Sequence, residues 1–216
     1  VNRVAALNEL RAAMQRLEPE PEHTSHVAHL AVRLFDQLLP LHGLGPDDRI
    51  LLEGAACLHD IGWPVSDGGT AHHKHSARLI RAQKWEHLTP AEADVVAQVA
   101  RYHRRALPCA EHGDFHRLHR TRKLAVRHLA AILRLADAFD RSHVQAVRDV
   151  EVRIEPDRLE FTLRSRQPPL REIAAGEKKG DLAREIFDRK LLFRFEPLAT
   201  RISLHESASG RAVRRV

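Results

Sequence analysis

Histidine and aspartate carry the chemical signal in this chain of 216 residues. It holds 16 histidines, clustered between His23 and His143. Imidazole is a natural ligand of divalent transition metals and a base near neutral pH. The densest point is His59-Asp60, which ends an apolar stretch (Ile50, Leu51, Leu52, Ala55, Ala56, Leu58) and is followed at once by Ile61-Gly62. Two ionisable side chains at the end of a buried helix are costly unless something partners them. A divalent cation partners both. Other metal-capable residues fall in line with apolar stripes: His23 four before Val27, His75 four before Leu79, His103 four after Val99, and Asp137 four after Leu133. Side chains at such spacings lie on one helix face. Helices that each aim one histidine or carboxylate inward are how bundles build metal centres.

Around that set lies a second group. His26 is expected beside the pocket rather than as a ligand, and His72 replaces His75 if its loop folds back. Asp140, one turn past Asp137, and Asp67, after the His-Asp pair, are candidates for a supporting ring; Glu53 is left open. Between Arg101 and His128 there are eight Arg or Lys residues, five histidines and only two acids. Arg104, Arg105, Arg117, Arg120, Arg122 and Lys123 are expected to form a positive rim, since guanidinium groups match phosphate oxygens in paired geometry. Lys74 beside His75 is a further phosphate contact, and Arg134 either orients Asp137 or touches phosphate. The plainer readings are a helix-end cap for His59-Asp60, a salt bridge of Asp137 with Arg134 or Arg141, and core imidazoles for His75 and His103. The last would leave a one-metal site.

The elements that must position these groups read as helices up to about residue 146. Helices are expected over 5–17, 23–39, 48–60, 75–85, 90–102 and 122–141, from apolar residues at three- and four-residue spacing. Thr89-Pro90 with Glu92 is an N-cap, a first-turn proline and a capping-box acid. Residues 40–47 and 108–118 read as loops. After Val147 the period changes to two: Val150, Val152 and Ile154, a Pro156-Asp157 turn, then Leu159, Phe161 and Leu163 make a hairpin. Helices are expected over 170–175 and 181–192, and a late strand over 201–204. The fold class is mainly α: a helical bundle over 1–146, a small α+β subdomain over 147–200, and a strand with a loose basic tail over 201–216.

Composition excludes much. With 43% hydrophobic and 30% charged residues the chain is globular, neither disordered nor fibrous. Two cysteines, Cys57 and Cys109, rule out a disulfide scaffold or a cysteine-built zinc site and point to a reducing, cytoplasmic compartment. No apolar run is long enough to span a bilayer, and the charged first residues do not read as a secretory signal. The net charge of +6 admits an anionic partner. Sparse aromatics, with no basic-aromatic interleaving, argue against nucleic acid.

His23, His59-Asp60 and Asp137 resemble the ligands of the HD superfamily of metal-dependent phosphohydrolases, and His75 and His103 look like the extra ligands of its two-metal members. More closely, Ala55-Ala56-Cys57-Leu58-His59-Asp60-Ile61-Gly62, His72-His73-Lys74-His75-Ser76, Arg101-Tyr102-His103-Arg104 and the run from Leu133 to Ser142 resemble the C-terminal HD-type domain of the exopolyphosphatase and guanosine-pentaphosphate phosphatase family. That resemblance runs from about Asn8 to about Phe195. The 216 residues contain nothing like the family's N-terminal actin-like region, which holds its polyphosphatase site, so the expectation is a stand-alone HD hydrolase.

The resemblance implies two-metal hydrolysis of a phosphate ester or anhydride in a nucleotide or other phosphate-rich small molecule. Asp60 would bridge the ions, with His59, Lys74, Arg104 and Arg134 assisting. One or two divalent ions are expected, manganese or iron before zinc, nickel or magnesium, since several imidazoles do not suit magnesium. The alternatives are a non-catalytic module binding polyphosphate or nucleotide, and a regulatory subunit of a separate catalytic protein. The edge of the small sheet offers a surface on which two copies would pair as a homodimer.

Overall fold

The computed structural model describes residues 3–198. Seven helices come first: α1 (Arg3–Leu17), α2 (Pro21–His42), α3 (Pro46–Leu58), α4 (His72–Ala82), α5 (Pro90–Arg101), the single-turn α6 (Gly113–His116) and α7 (Arg120–Ala138). Then follow β1 (Val147–Ile154), β2 (Arg158–Ser165), α8 (Leu170–Lys179), α9 (Asp181–Phe187) and β3 (Lys190–Pro197). The chain is thus mainly helical with a small C-terminal sheet.

Two helices organise the body. α3 packs against α1, α2, α5 and α7, and α7 packs against α2, α3, α5, α8 and α9. The apolar stripe of α3 supplies Leu52, Ala55, Ala56 and Leu58, all fully buried. Each large side chain so buried contributes about 1.5–3 kcal/mol. These are the helices that carry His59-Asp60, at the end of α3, and Asp137, in the last turn of α7, so these side chains hang on a firmly packed scaffold.

The local signals explain most helix ends. The Thr89 hydroxyl accepts from the Glu92 N–H at 3.3 Å, and the Glu92 carboxylate accepts from the Thr89 N–H at 2.8 Å, closing the capping box. Two boundaries differ from the sequence reading. α2 runs through Pro40 to His42, and the stop is instead Gly43 in the left-handed region at φ 60°, whose N–H donates to Leu39 O;. α4 begins at His72, three residues earlier than expected, just after Ala71 at φ 57°.

In the sheet, β2 is central, antiparallel to β1 and parallel to β3. The hairpin stands where the alternation placed it. β3 was not anticipated: the helix expected over 181–192 stops at Phe187, Asp188 takes the left-handed conformation at φ 49°, and the chain becomes strand at Lys190. Alternate residues Leu191 and Phe193 pair with Leu159 and Phe161, and Phe193 and Phe161 meet Phe139 at the end of α7 with ring centroids 5.9 and 6.0 Å away. The sheet and the bundle therefore share one hydrophobic core. The late strand and tail expected over 201–216 lie outside the described residues.

The β1 edge is covered. The Gln37 side chain of α2 donates to Val150 O at 3.0 Å and accepts from Val152 N–H at 2.8 Å, and His26 Nε2 donates to Val147 O at 2.8 Å. Backbone groups so satisfied do not recruit another strand. Among the described residues, no helix is long and apolar enough to cross a membrane.

Candidate metal centre

Five stretches of chain converge at one end of the bundle. The first turn of α2 brings His23, the end of α3 brings His59 and Asp60, the first residue of α4 brings His72, the end of α5 brings His103, and the last turn of α7 brings Asp137. Three overlapping triads result: His23, His59 and Asp60; His59, His103 and Asp137; Asp60, His72 and His103. Within each, one ligand atom per residue lies within 4.8 Å of the others. His23 Nε2 is 3.9 Å from Asp137 Oδ1, His59 Nε2 is 3.8 Å from Asp60 Oδ2, and His103 Nε2 is 3.6 Å from Asp60 Oδ1. His72 Nε2 comes to 3.0 Å from the same oxygen without the alignment of a hydrogen bond.

Each of the four rings is held from behind. The Nδ1–H of His59 donates to Ala56 O at 2.7 Å, that of His103 to Ala100 O at 2.7 Å, and that of His72 to Gly69 O at 2.9 Å. His23 Nδ1 meets the fully buried Asp140 carboxylate at 2.8 Å. A carbonyl only accepts, so the ring proton of His59 and of His103 sits on Nδ1 and their Nε2 atoms present lone pairs to the common centre, toward which the Nε2 atoms of His23 and His72 also turn;. His23 Nε2, His59 Nε2 and Asp60 Oδ1 are buried and make no hydrogen bond within the protein. Imidazole lone pairs turned inward beside carboxylates are a donor set that fits a divalent transition ion.

The electrostatics agree. Burial pushes the pKa values of His59 and His103 down, so both rings are neutral near pH 7, the form that ligates;. Burial also opposes ionisation of Asp60, but the surrounding imidazoles outweigh it and hold its carboxyl well below the usual range. Asp137 is likewise held low against burial, chiefly by the Lys179 ammonium. For His23, burial is outweighed by the Asp140 hydrogen bond and nearby carboxylates, and its pKa is raised.

The centre opens into a cavity of about 1220 Å³. Arg104 and Arg105 line it as expected, and the Arg104 guanidinium lies 3.3 Å from both ring nitrogens of His72. The other expected rim residues are elsewhere: Arg117 pairs with Asp114 on the surface, Arg122 reaches Ala91 O, and Arg120 and Lys123 do not line the cavity. Cations from the C-terminal part take their place: Arg171, Lys178 and Lys179 on α8, and Arg141 just past α7.

Several site residues of the sequence reading stand differently. His75 is outside all three triads; it is half-buried, and its Nδ1 meets Arg78 at 3.1 Å. The buried stripe of α4 is His72, His73, Ser76, Ala77 and Ile80, one step out of phase with the Leu79 stripe that pointed to His75. Lys74 is exposed and does not line the cavity. Arg134 is buried but committed: its guanidinium forks onto Asp181 at 2.7 and 2.9 Å and also donates to Tyr102 O and Lys179 O. Glu53 pairs with Arg11 away from the centre, and Asp67 is exposed.

Sequence reasoning missed Glu18 and Lys179. Glu18 is buried at the cavity wall, and both its carboxylate oxygens make no hydrogen bond. Burial first, then the neighbouring Asp60 and Glu20 charges, push its pKa up to about 9. It sits in a Glu-Pro-Glu-Pro stretch that has no period to betray a facing direction.

A protein-family model described as Ppx/GppA phosphatase, domain III, matches residues 8–182. The chain belongs to this family. The match begins inside α1, takes in the rest of the helical body and the sheet hairpin, and ends inside α9. As a Ppx/GppA domain III protein it is related to the exopolyphosphatases. Every residue of the three triads lies inside the matched range.

Proposed function

We propose that this chain is a metal-dependent phosphohydrolase of the HD type, which cleaves a phosphate ester or anhydride in a nucleotide or other phosphate-rich small molecule. The observation that carries the reading is the common orientation of four buried histidines, each tied at Nδ1 and turning Nε2 toward Asp60 or Asp137. His23, His59, His72, His103, Asp60 and Asp137 would hold one or two divalent ions, with manganese or iron preferred. An ion held there would acidify a water to make the nucleophile and polarise the phosphoryl oxygens. Asp60, His59 and His103 each belong to two of the triads, and of these only Asp60, with two carboxylate oxygens, is suited to serve both ions;. Asp140 fixes the His23 ring through its hydrogen bond. Arg104 and Arg105 present guanidinium groups to an anion at the cavity mouth.

Metal analysis and a phosphate-release screen over nucleotides and polyphosphates test this. The expected result is one or two tightly held transition ions per chain and turnover of at least one compound. Asp60→Asn should lose both metal and turnover; retention of both would refute the assignment. The second reading is a non-catalytic anion-binding module. It is favoured by the cationic cavity wall of Arg104, Arg105, Arg171 and Lys178, which exists irrespective of a metal. Anion binding that survives in a metal-free Asp60→Asn protein, with no turnover in wild type, would select that reading.

A further inference from the structure

Among the described residues, the C-terminal part of the chain reaches into the centre through Lys179. Lys179, the last residue of α8, places its ammonium on Asp137 Oδ2 in a salt bridge buried on the carboxylate side. Its own carbonyl is gripped by the Arg134 guanidinium at 3.2 Å, which also forks onto Asp181 two residues later. Arg134 stands one turn before Asp137 on α7, so a single helix supplies both the carboxylate and the clamp that delivers the lysine to it. Arg171, Ala174, Ala175 and Lys178 occupy the same cavity-lining face of α8, with two alanines leaving room between the cations.

We propose that Lys179 is a substrate-binding residue of this centre, which neutralises Asp137 in the resting protein and transfers its ammonium to a phosphoryl oxygen when a divalent ion takes that carboxylate. The inference rests on the phosphohydrolase reading given above. An ion bound through Asp137 and an ammonium bonded to the same carboxylate are like charges in near contact and repel strongly. They coexist once an anion lies between them, and a phosphoryl group bound at the ion supplies one. Lysine suits the transfer: its charge is a point at the end of a flexible stem, with three donors that follow a moving acceptor. The Arg134 clamp holds the Lys179 backbone while leaving the stem free. No bond is made or broken in the step; a hydrogen-bonded ion pair exchanges its acceptor.

The test uses the full chain and two titrations by calorimetry. Manganese is titrated into phosphate-free protein, and inorganic phosphate into manganese-loaded protein, for wild type, Lys179→Met and Lys179→Arg. Lys179→Met should bind manganese more tightly, on the order of tenfold, because a competing cation is gone. It should bind phosphate more weakly by about tenfold or more, since a charge-assisted bond is lost. Lys179→Arg should recover most of the phosphate affinity. Unchanged manganese and phosphate affinities in a folded Lys179→Met protein would overturn the proposal, as would a wild type that binds manganese but not phosphate. If Lys179→Met fails to fold, Lys179→Gln is read by the same two criteria. A wild type that binds no divalent ion overturns the phosphohydrolase reading. In that case, phosphate binding to the metal-free protein that is lost in Lys179→Met retains Lys179 as an anion contact and overturns only the exchange.

Discussion

A methyl group added at Gly62 should damage both the fold and the centre. Gly62 follows the His59-Asp60 corner and is buried against the start of α4, where its N–H donates to Ser76 Oγ at 2.9 Å. A Cβ at this position would fall inside 3.0 Å of His72 O, Ser76 N and His75 Cβ. Two of those are backbone atoms of one helical turn, so no rotamer change relieves the clash and α4 must retreat as a body. Overpacking a close-packed site costs about 1–3 kcal/mol, and backbone obstruction places Gly62→Ala at the upper end. For a chain of this length about 3 kcal/mol lowers Tm by roughly 6–12 °C. The same retreat carries His72 away from Asp60 and breaks the third triad, so manganese stoichiometry or affinity should fall as well. Gly113→Ala is the control: its nearest neighbour is a flexible arginine tip at 3.7 Å, and no loss of stability is expected. Thermal melts and manganese titrations of both variants decide the matter. If Gly62→Ala melts with wild type and binds manganese equally, α4 is not pinned by this contact and the placement of His72 is wrong.

Further expectations follow from other residues. In metal-free protein the folded Glu18 carboxyl keeps its proton to about pH 9, against 4.5 ordinarily, so the folded state binds more protons between those values and stability falls as pH rises through them. Glu18→Gln should match wild type near pH 5 and exceed it by about 3–4 kcal/mol at pH 7.5 in denaturant melts with chelator; equal pH slopes would contradict the assignment. Asp140→Ala frees the His23 ring and should weaken manganese binding by about 10- to 100-fold, read by titration, with no change as the contrary result. The Cys57 thiol is buried and pushed up to about 12 by burial, whereas Cys109 is partly open beside His112 at 3.3 Å. Maleimide should therefore label one thiol quickly in native protein and both after denaturation; two fast thiols would contradict the burial of α3.

Much of the helical body was legible because amphipathic periodicity reports burial directly. His59-Asp60 stood out because it closes a continuous apolar run, and Asp137 because it follows Leu133 by one turn; the structure brings all three to the same end of the bundle. α4 was misread because Leu79 and Ile80 are both apolar neighbours, and only packing chooses which of them turns inward. That choice moved the inward histidine from position 75 to 72. β3 was missed because Ala183, Ile186, Phe187 and Leu191 keep helical three- and four-residue spacing across Asp188-Arg189-Lys190, and the switch at Asp188 has no strong turn signal;.

The amino-acid order by itself determined the metal-capable residue types, their attachment to apolar stripes, the capping of α5 and the change of period near residue 147, because each of these is a local property of neighbouring side chains. Tertiary structure alone decided which ring nitrogens face one another, that Arg134 serves Asp181, and that Glu18 and Lys179 join the site. Those facts depend on distances between residues far apart in the chain, set by how helices settle against one another, and no local pattern encodes them.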